Sequence, residues 1–357
     1  KEGKAYIFFS HTIKGQPYNM PLLKDMMASK ITLVDYEKIA DEKGRRLIFF
    51  GRFAGLAGMI NSLWSLGQRL KEKGLETSFT KLNQTHNYNS LDEVKEVVSE
   101  ISNDINKNGV HPDIHPLVVG ITGYGNVSKG AQEILNLLPV EYIKPEELSN
   151  LKERNDLSNK KVYTVVFEEK HISKPIDSEK EFILNEYYNH PELFENQFEQ
   201  YVPHLTILMN CMYWDDKYPR IVTKDFLEKL YTNGEPKLKV IGDVTCDPDG
   251  SIECTHKGTE IEDPVFVYNP FTRKPTMGFE GDGLLVMAVD ILPSELPRES
   301  SQTFSDALLG FMPEICSADY KANFADLQLP AEIKRATILH KGELTPDYKY
   351  LEDFLKE

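Results

Sequence analysis

Three glycines, Gly123, Gly125 and Gly130, lie between the apolar run Leu117–Thr122 and a stretch where Ala131, Ile134, Leu135 and Leu138 recur at helical spacing. The apolar run reads as a buried strand, so the local order is strand, glycine turn, helix. That order can hold a dinucleotide. Gly123 can make the tight turn, Gly125 lets the backbone approach a pyrophosphate, and the N–H groups at the helix start face the anion. The third glycine of a G-x-G-x-x-G motif is absent, because Ser128 holds that place and Gly130 follows two residues later. A plain βα turn is the competing reading.

Other residues of the right type sit near strand ends. His11 follows the apolar segment at residues 5–10. It could act as a general acid–base near neutral pH, or be an ordinary hydrogen-bonded or exposed histidine. Arg45 and Arg46 precede an apolar run at residues 47–50 that reads as a strand. One of them could clamp a substrate carboxylate, and a solvated charged turn is the alternative. Asp243 opens the acidic loop at residues 243–253. Its spacing does not fit a calcium loop, so it reads as a segment lining the cofactor cleft at the sheet edge. Asp290 ends the last apolar strand and faces the same cleft if that strand is parallel. About 20 residues past the glycine turn, where an acidic residue takes the ribose of NAD, the chain offers Lys144, which favours the 2′-phosphate of NADP. Glu146 and Glu147 stand close by and weaken that inference. No zinc spacing, nucleophile elbow or Walker loop is present, and no metal is expected.

The elements that must position these residues alternate between strand and helix. Strands are read at residues 140–143, 161–167, 204–213, 238–244, 265–268 and 284–291, mostly as continuous apolar runs. Leu56, Met59, Ile60, Leu63, Trp64 and Leu70 form one helical face, opened by Gly51, Gly55 and Gly58. Those small residues suit close packing, or a second phosphate loop. Ser90 to Glu93 form a capping box ahead of another helix. Residues 169–203 read as an insertion with a helix near 179–188, and helices are expected at 298–315 and 348–356. The fold class is α/β: a Rossmann-type, doubly wound parallel sheet over residues 51–296, plus a second, discontinuous α/β substrate domain from residues 1–50 and 297–357.

With 357 residues, 40% hydrophobic and 27% charged, the chain has room for two globular domains. A net charge of −15 argues against nucleic acid or an anionic membrane as partner. The four cysteines form no C-x-x-C pair and read as reduced thiols. No apolar stretch approaches the ~18 residues of a membrane span, and no signal peptide is expected.

Five blocks carry a family resemblance: FFSHTIKGQ at 8–16, DEKGRRLIFFGRFAGLAGMI at 41–60, TGYGNVSKGAQEI at 122–134, NCMYW at 210–214 and VDILPSELPRESS at 289–301. In this order they resemble lysine–ketoglutarate reductase, the amino-terminal half of aminoadipic semialdehyde synthase. They are similar, more distantly, to lysine-forming saccharopine dehydrogenase and alanine dehydrogenase. The resemblance implies condensation of lysine with 2-oxoglutarate and reduction of the imine by NADPH, or NADH, to saccharopine. It makes His11 the acid–base and Arg46 the ligand of a substrate carboxylate. Phe50 would pack near the nicotinamide, and Gly123, Tyr124, Gly125 and Asn126 would hold the pyrophosphate. Cys211, Asp243 and Asp290 would lie along the cofactor cleft. A fused or separate glutamate-forming saccharopine dehydrogenase would be the partner, in the cytoplasm, or in the mitochondrial matrix of an animal. The family also has a Lys and an Arg upstream of the His11 block, so the amino-terminal part of the substrate domain is expected to be missing. The alternatives are a non-catalytic binding remnant or an alanine-dehydrogenase-like enzyme.

Overall fold

Runs of β-branched and aromatic residues form short strands, and the longer periodic stretches form helices, in the computed structural model, which describes residues 1–356. In chain order come β1 (Ala5–Phe8), α1 (Met20–Ala28), β2 (Thr32–Asp35), α2 (Gly51–Glu72), α3 (Leu91–Asn108), β3 (Leu117–Thr122), α4 (Asn126–Leu135), β4 (Val140–Tyr142) and β5 (Val162–Phe167). Then follow α5 (Glu169–Ile172), β6 (Ser173–Pro175), α6 (Leu184–Asn189), β7 (Phe194–Asn196), β8 (Ile207–Asn210), α7 (Lys224–Thr232), β9 (Val240–Asp243), β10 (Val265–Asn269), β11 (Lys274–Met277) and β12 (Leu284–Met287). Last are α8 (Pro297–Leu309), α9 (Met312–Ser317), α10 (Ala331–Arg335), β13 (Thr337–His340) and β14 (Glu343–Leu344). The chain divides into two units, residues 50–300 and residues 1–49 with those from 301 on.

The larger unit is built on an eight-stranded sheet in the order β11-β10-β12-β9-β8-β3-β5-β4. From β4 to β12 neighbouring strands run parallel, while β10 and β11 are antiparallel additions at one edge. Side chains alternate between two buried layers. Val119, Ile121 and Met209 pack with α2, α3 and α4 on one face, and Val118, Tyr163, Val165 and Leu208 fill the other. Burial on both faces is why these strands read as unbroken apolar runs.

Helix α2 begins five residues before its apolar face does and is buried nearly all round. Its glycines serve packing. A Cβ at Gly55 would overlap the Val127 carbonyl, and one at Gly130 would overlap the Arg52 carbonyl, so α2 and α4 cross with their backbones in contact. Each glycine costs a helix about 1 kcal/mol relative to alanine. The close crossing offsets that cost, and an Arg52–Glu133 ion pair of 2.7 Å flanks it.

The smaller unit holds a four-stranded sheet in the order β1-β2-β13-β14, with β1 and β2 parallel and β13 antiparallel to β2. Met20, Leu23 and Met26 of α1 pack against Leu33, Ile338 and Leu339. Several expectations change here. Residues 47–50 form no strand; only an isolated bridge joins Ala40 to Arg46, and Ile48 is buried as a single plug. The helix expected at 298–315 breaks into α8 and α9, and the carboxyl-terminal one is a 3-10 helix over Pro346–Leu355. In the insertion of the larger unit, the helix expected at 179–188 shortens to α6, beside the antiparallel pair β6–β7. Among the described residues, no helix is long and apolar enough to cross a membrane.

Candidate active site

The chain leaves β3 into a turn that only glycine can make. Gly123 has φ +79°. Its N–H donates to the Phe167 carbonyl at 2.8 Å. A Cβ there would press to 3.3 Å on the Cys211 carbonyl and the Met212 Cα. The ends of β3, β5 and β8 therefore converge on one residue. Gly125 caps α4 in an extended conformation, and no side chain caps the helix. Its first-turn N–H groups thus keep their donors for a ligand. A Cβ at Gly125 would meet nothing within 4 Å, so this side of the turn is open.

A pocket of about 390 Å³ opens on that side. Gly123, Tyr124 and Gly125 form one wall, Glu169 and Ile172 a second, and Cys211, Met212 and Tyr213 a third. Tyr187 and Tyr188 from the insertion, with Tyr218, complete it. The single carboxylate among these aromatic rings is already oriented. Tyr188 Oη donates to Glu169 Oε1 at 2.6 Å, and Tyr124 Oη reaches the same oxygen at 3.5 Å. Burial, then the hydrogen bond to Glu169, pushes the Tyr188 phenol up, and burial pushes Tyr187 up to about 12, so both remain neutral donors. Glycine backbone, free helix N–H groups, stacking surface and a carboxylate together suit a dinucleotide. The cradle that a Cβ would fill at Gly123 and the open face at Gly125 pass the steric test for its pyrophosphate.

The pocket lies where the winding of the sheet reverses. From β3 the chain moves out to β4 and back to β5 on one side, then crosses to β8 and β9 on the other. Open α/β sheets bind ligands at such a switch point. Lys144 stands away from the glycine turn. Its strand, β4, is the outermost, and β5 separates it from β3. On that side the strand bonded to β3 is β5, in register Thr122 with Phe167, so the residues just after Phe167 stand beside the glycine turn. Glu169, Tyr187, Tyr188 and Tyr218 escaped sequence reasoning. The available signal was Glu141: a charged residue in the middle of a three-residue strand marks a sheet edge.

The other sequence candidates separate. Gly123, Tyr124, Gly125 and Cys211 share the pocket, and Asn126 is the first residue of α4 beside them. Phe50 caps α2, whose Gly51 lies against the Val127 side chain at the start of α4. Asp243 does not line the pocket. It is buried, with Asn210 Nδ2 (2.7 Å) and the Cys246 N–H (3.2 Å) donating to Oδ1 and Thr255 Oγ1 (2.6 Å) to Oδ2. Burial raises its pKa above the usual carboxylate value. Thr122 Oγ1 donates to Asn210 Oδ1 at 3.0 Å and accepts the Cys211 N–H at 3.1 Å, so this network ties the ends of β3, β8 and β9 together. Asp290 is exposed past β12 and accepts from Cys246 Sγ at 3.6 Å, outside the pocket lining.

In the smaller unit, His11 follows β1 with φ +55°, a left-handed conformation that a non-glycine residue adopts at a cost. Its carbonyl accepts from Asn19 Nδ2 at 2.8 Å, and Ser10 before it is anchored on Asp35 at 3.0 Å and 2.5 Å. Arg45 is held by Asp41 at 2.7 Å, whereas Arg46 has a loose 3.9 Å pair with Glu37. Arg46 lines a cavity with Ile13, Tyr348 and Tyr350, and His11 is not part of that lining.

Residues 143–347 match the family described as alanine dehydrogenase/PNT, C-terminal domain. Over 98% of its length the chain is 40% identical to alpha-aminoadipic semialdehyde synthase of Arabidopsis thaliana, covering 33% of that protein. It is 35% identical, again over 98%, to the mitochondrial alpha-aminoadipic semialdehyde synthase of Mus musculus, covering 39% of it. The chain thus spans between a third and two fifths of the length of these two relatives. An L-alanine dehydrogenase structure superposes with a TM-score of 0.56 across 99% of this chain and 76% of that one, at 15% identity, a likeness of fold. With more than half of its residues inside the family match, the chain belongs to the alanine dehydrogenase/PNT C-terminal domain family.

Proposed function

We propose that this protein is an oxidoreductase of lysine metabolism. It joins the ε-amine of L-lysine to the carbonyl of 2-oxoglutarate and reduces the imine to saccharopine with a nicotinamide dinucleotide, or runs the reverse. Similarity to aminoadipic semialdehyde synthases along nearly the whole chain supports this class. The observation that carries the redox part is the glycine-lined pocket at the switch point of the parallel sheet. The dinucleotide supplies the hydride when bound, and the chain positions it through the Gly123–Gly125 turn and the α4 N-terminus.

Two residues of the smaller unit are assigned the substrate chemistry. His11 exchanges protons with the carbonyl oxygen and the amine during imine formation, and its strained backbone supports a functional placement. Arg46 binds a substrate carboxylate, for which its loose ion pair leaves the guanidinium better disposed than that of Arg45. A saccharopine-splitting activity, on the same polypeptide or a separate one, would consume the product.

The test is oxidation of reduced dinucleotide that depends on both lysine and 2-oxoglutarate. His11→Ala should lower kcat by roughly 10²–10⁴-fold, the usual contribution of general acid–base catalysis, and Arg46→Ala should chiefly raise KM for 2-oxoglutarate. Dinucleotide binding without turnover, or turnover with pyruvate and ammonia in place of lysine, would reject the proposal.

A further inference from the structure

We infer that the amino-terminal edge of the large parallel sheet carries a separate anion site, in which Lys152, Lys237, His115 and His204 hold an oxyanion of the phosphate class. The strands bring these residues together. The Thr206 N–H donates to the Val118 carbonyl at 2.8 Å, and the Lys239 N–H to the Thr206 carbonyl at 2.9 Å, so β3, β8 and β9 start level with one another. His204 and Lys237 each stand two residues before these bonded positions, and His115 stands three before Val118. Lys152 sits in the 3-10 turn Leu151–Glu153. Leu151, Leu205 and Leu238, the buried chain neighbours of Lys152, His204 and Lys237, pack in one apolar layer with Val118. The six residues of β3, at about 3.3 Å each, put roughly 20 Å between this edge and the glycine turn, so the occupant is not the dinucleotide.

No protein group balances the four bases. Among the described residues none of these side chains has an ion pair or hydrogen bond to the protein, and His115 Nδ1 is covered without a partner. Glu235 is committed to Lys239 at 3.0 Å, and Glu141 to Arg154 at 2.7 Å. Lys152 is exposed and the other three are half-buried. Burial, then Lys152, holds Lys237 at about 7, and burial, then Lys237 and Lys152, lowers both histidines; no carboxylate adds to the field at any of the three. Bases grouped without a counter-charge oppose folding, the more so when they are drawn out of water. A chain of net charge −15 had acidic residues to spare for them. A bound anion removes the repulsion and supplies the missing acceptor. Donors arriving from three strand ends and a helical turn suit a tetrahedral oxyanion, which accepts from several directions, better than a planar carboxylate.

The experiment is calorimetric titration of the full chain with inorganic phosphate at constant ionic strength set by chloride, with melting curves on the same samples. Native protein should bind phosphate saturably, with a Kd of roughly 1 mM or tighter, and melt higher as phosphate is added. Lys237→Met should weaken phosphate about tenfold or more, the scale of one charge-assisted contact, and Lys152→Ala and His204→Gln about threefold each. Removing a half-buried unpaired charge leaves Lys237→Met folded, so lost binding is not lost structure. Lys174→Ala, on the exposed middle of β6, should bind as the native protein does. Binding should also survive Gly125→Asp, which closes the helix terminus at the glycine turn. Glycerol 2-phosphate binding alongside phosphate supports an ester as occupant, and its exclusion supports the free ion. Absence of saturable binding, equal binding by native protein and Lys237→Met, or loss of phosphate only in Gly125→Asp overturns the site.

Discussion

Asp243 and Glu169 both stand at the carboxyl end of the large parallel sheet, where a sequence reader places ligands, yet they do opposite work. Asp243 is 1% exposed, and both of its oxygens are filled by the chain's own donors. Glu169 opens a short helical turn, lines a pocket, and keeps one oxygen free of protein donors among the described residues. A strand-end carboxylate is thus not a ligand group by position alone. What decides is whether neighbouring strands supply its partners. Asp243 ends β9, whose neighbour β8 ends in Asn210 and satisfies it. Glu169 follows β5, whose neighbour β3 ends in a glycine turn that offers it only the Tyr124 phenol, at 3.5 Å.

The largest expected effect falls on Asp243. Asp243→Ala strands the buried donors of Asn210 and Thr255 and should cost about 3 kcal/mol of stability, at 1–3 kcal/mol per unsatisfied buried group. Denaturant unfolding measures it. A loss below about 0.5 kcal/mol, the range of ordinary surface substitutions, would remove the contrast.

Lys237, just before the opposite end of β9, is a half-buried charge without such partners. Burial, and secondarily Lys152, depresses its pKa to about 7. The unfolded chain binds its proton up to pH ~10.5, so stability is penalised below the folded value and recovers as pH rises from about 7 to 10.5. Lys237→Met should therefore stabilise by about 1–2 kcal/mol at pH 7 and below, with the gain vanishing near pH 10.5. Melting curves across that range test the sign.

Glu169→Gln should change stability by less than about 0.5 kcal/mol, because its partners are pocket phenols that can turn to water. Equal destabilisation by Asp243→Ala and Glu169→Gln would break the comparison. Smallest of all is Lys144→Ala, which should leave dinucleotide affinity unchanged. A clear loss of NADPH binding would restore Lys144 to the site.

Contiguity explains what could be read beforehand. The β3–turn–α4 unit was legible because strand, glycines and helix face are adjacent in the chain and each has its own period. The two-sided burial of the sheet was legible in its apolar runs. Residues 47–50 read as a strand from the same apolar signal, yet the segment has no partner strand, and only Ile48 fills the core of its unit. Strand β13 was missed because its four residues are short and flanked by charge, although all four are buried. The pocket was illegible for a different reason. Tyr188, Glu169 and Tyr213 come from separate segments, and the order in which strands pair, not the order in which they occur, brings them to Gly123. Counting strands along the chain pointed to Lys144, and pairing pointed to Glu169.

The most direct test of the pocket as a dinucleotide site is calorimetric titration of ADP-ribose into native protein and Gly125→Asp. Residue 125 has φ −76° and space for a side chain, so the variant should fold normally. The added carboxylate would stand where the pyrophosphate must approach the helix N-terminus. One-site binding by the native protein and its loss in Gly125→Asp, at unchanged stability, is the expected result. Equal binding by both, or none by the native protein, would contradict it.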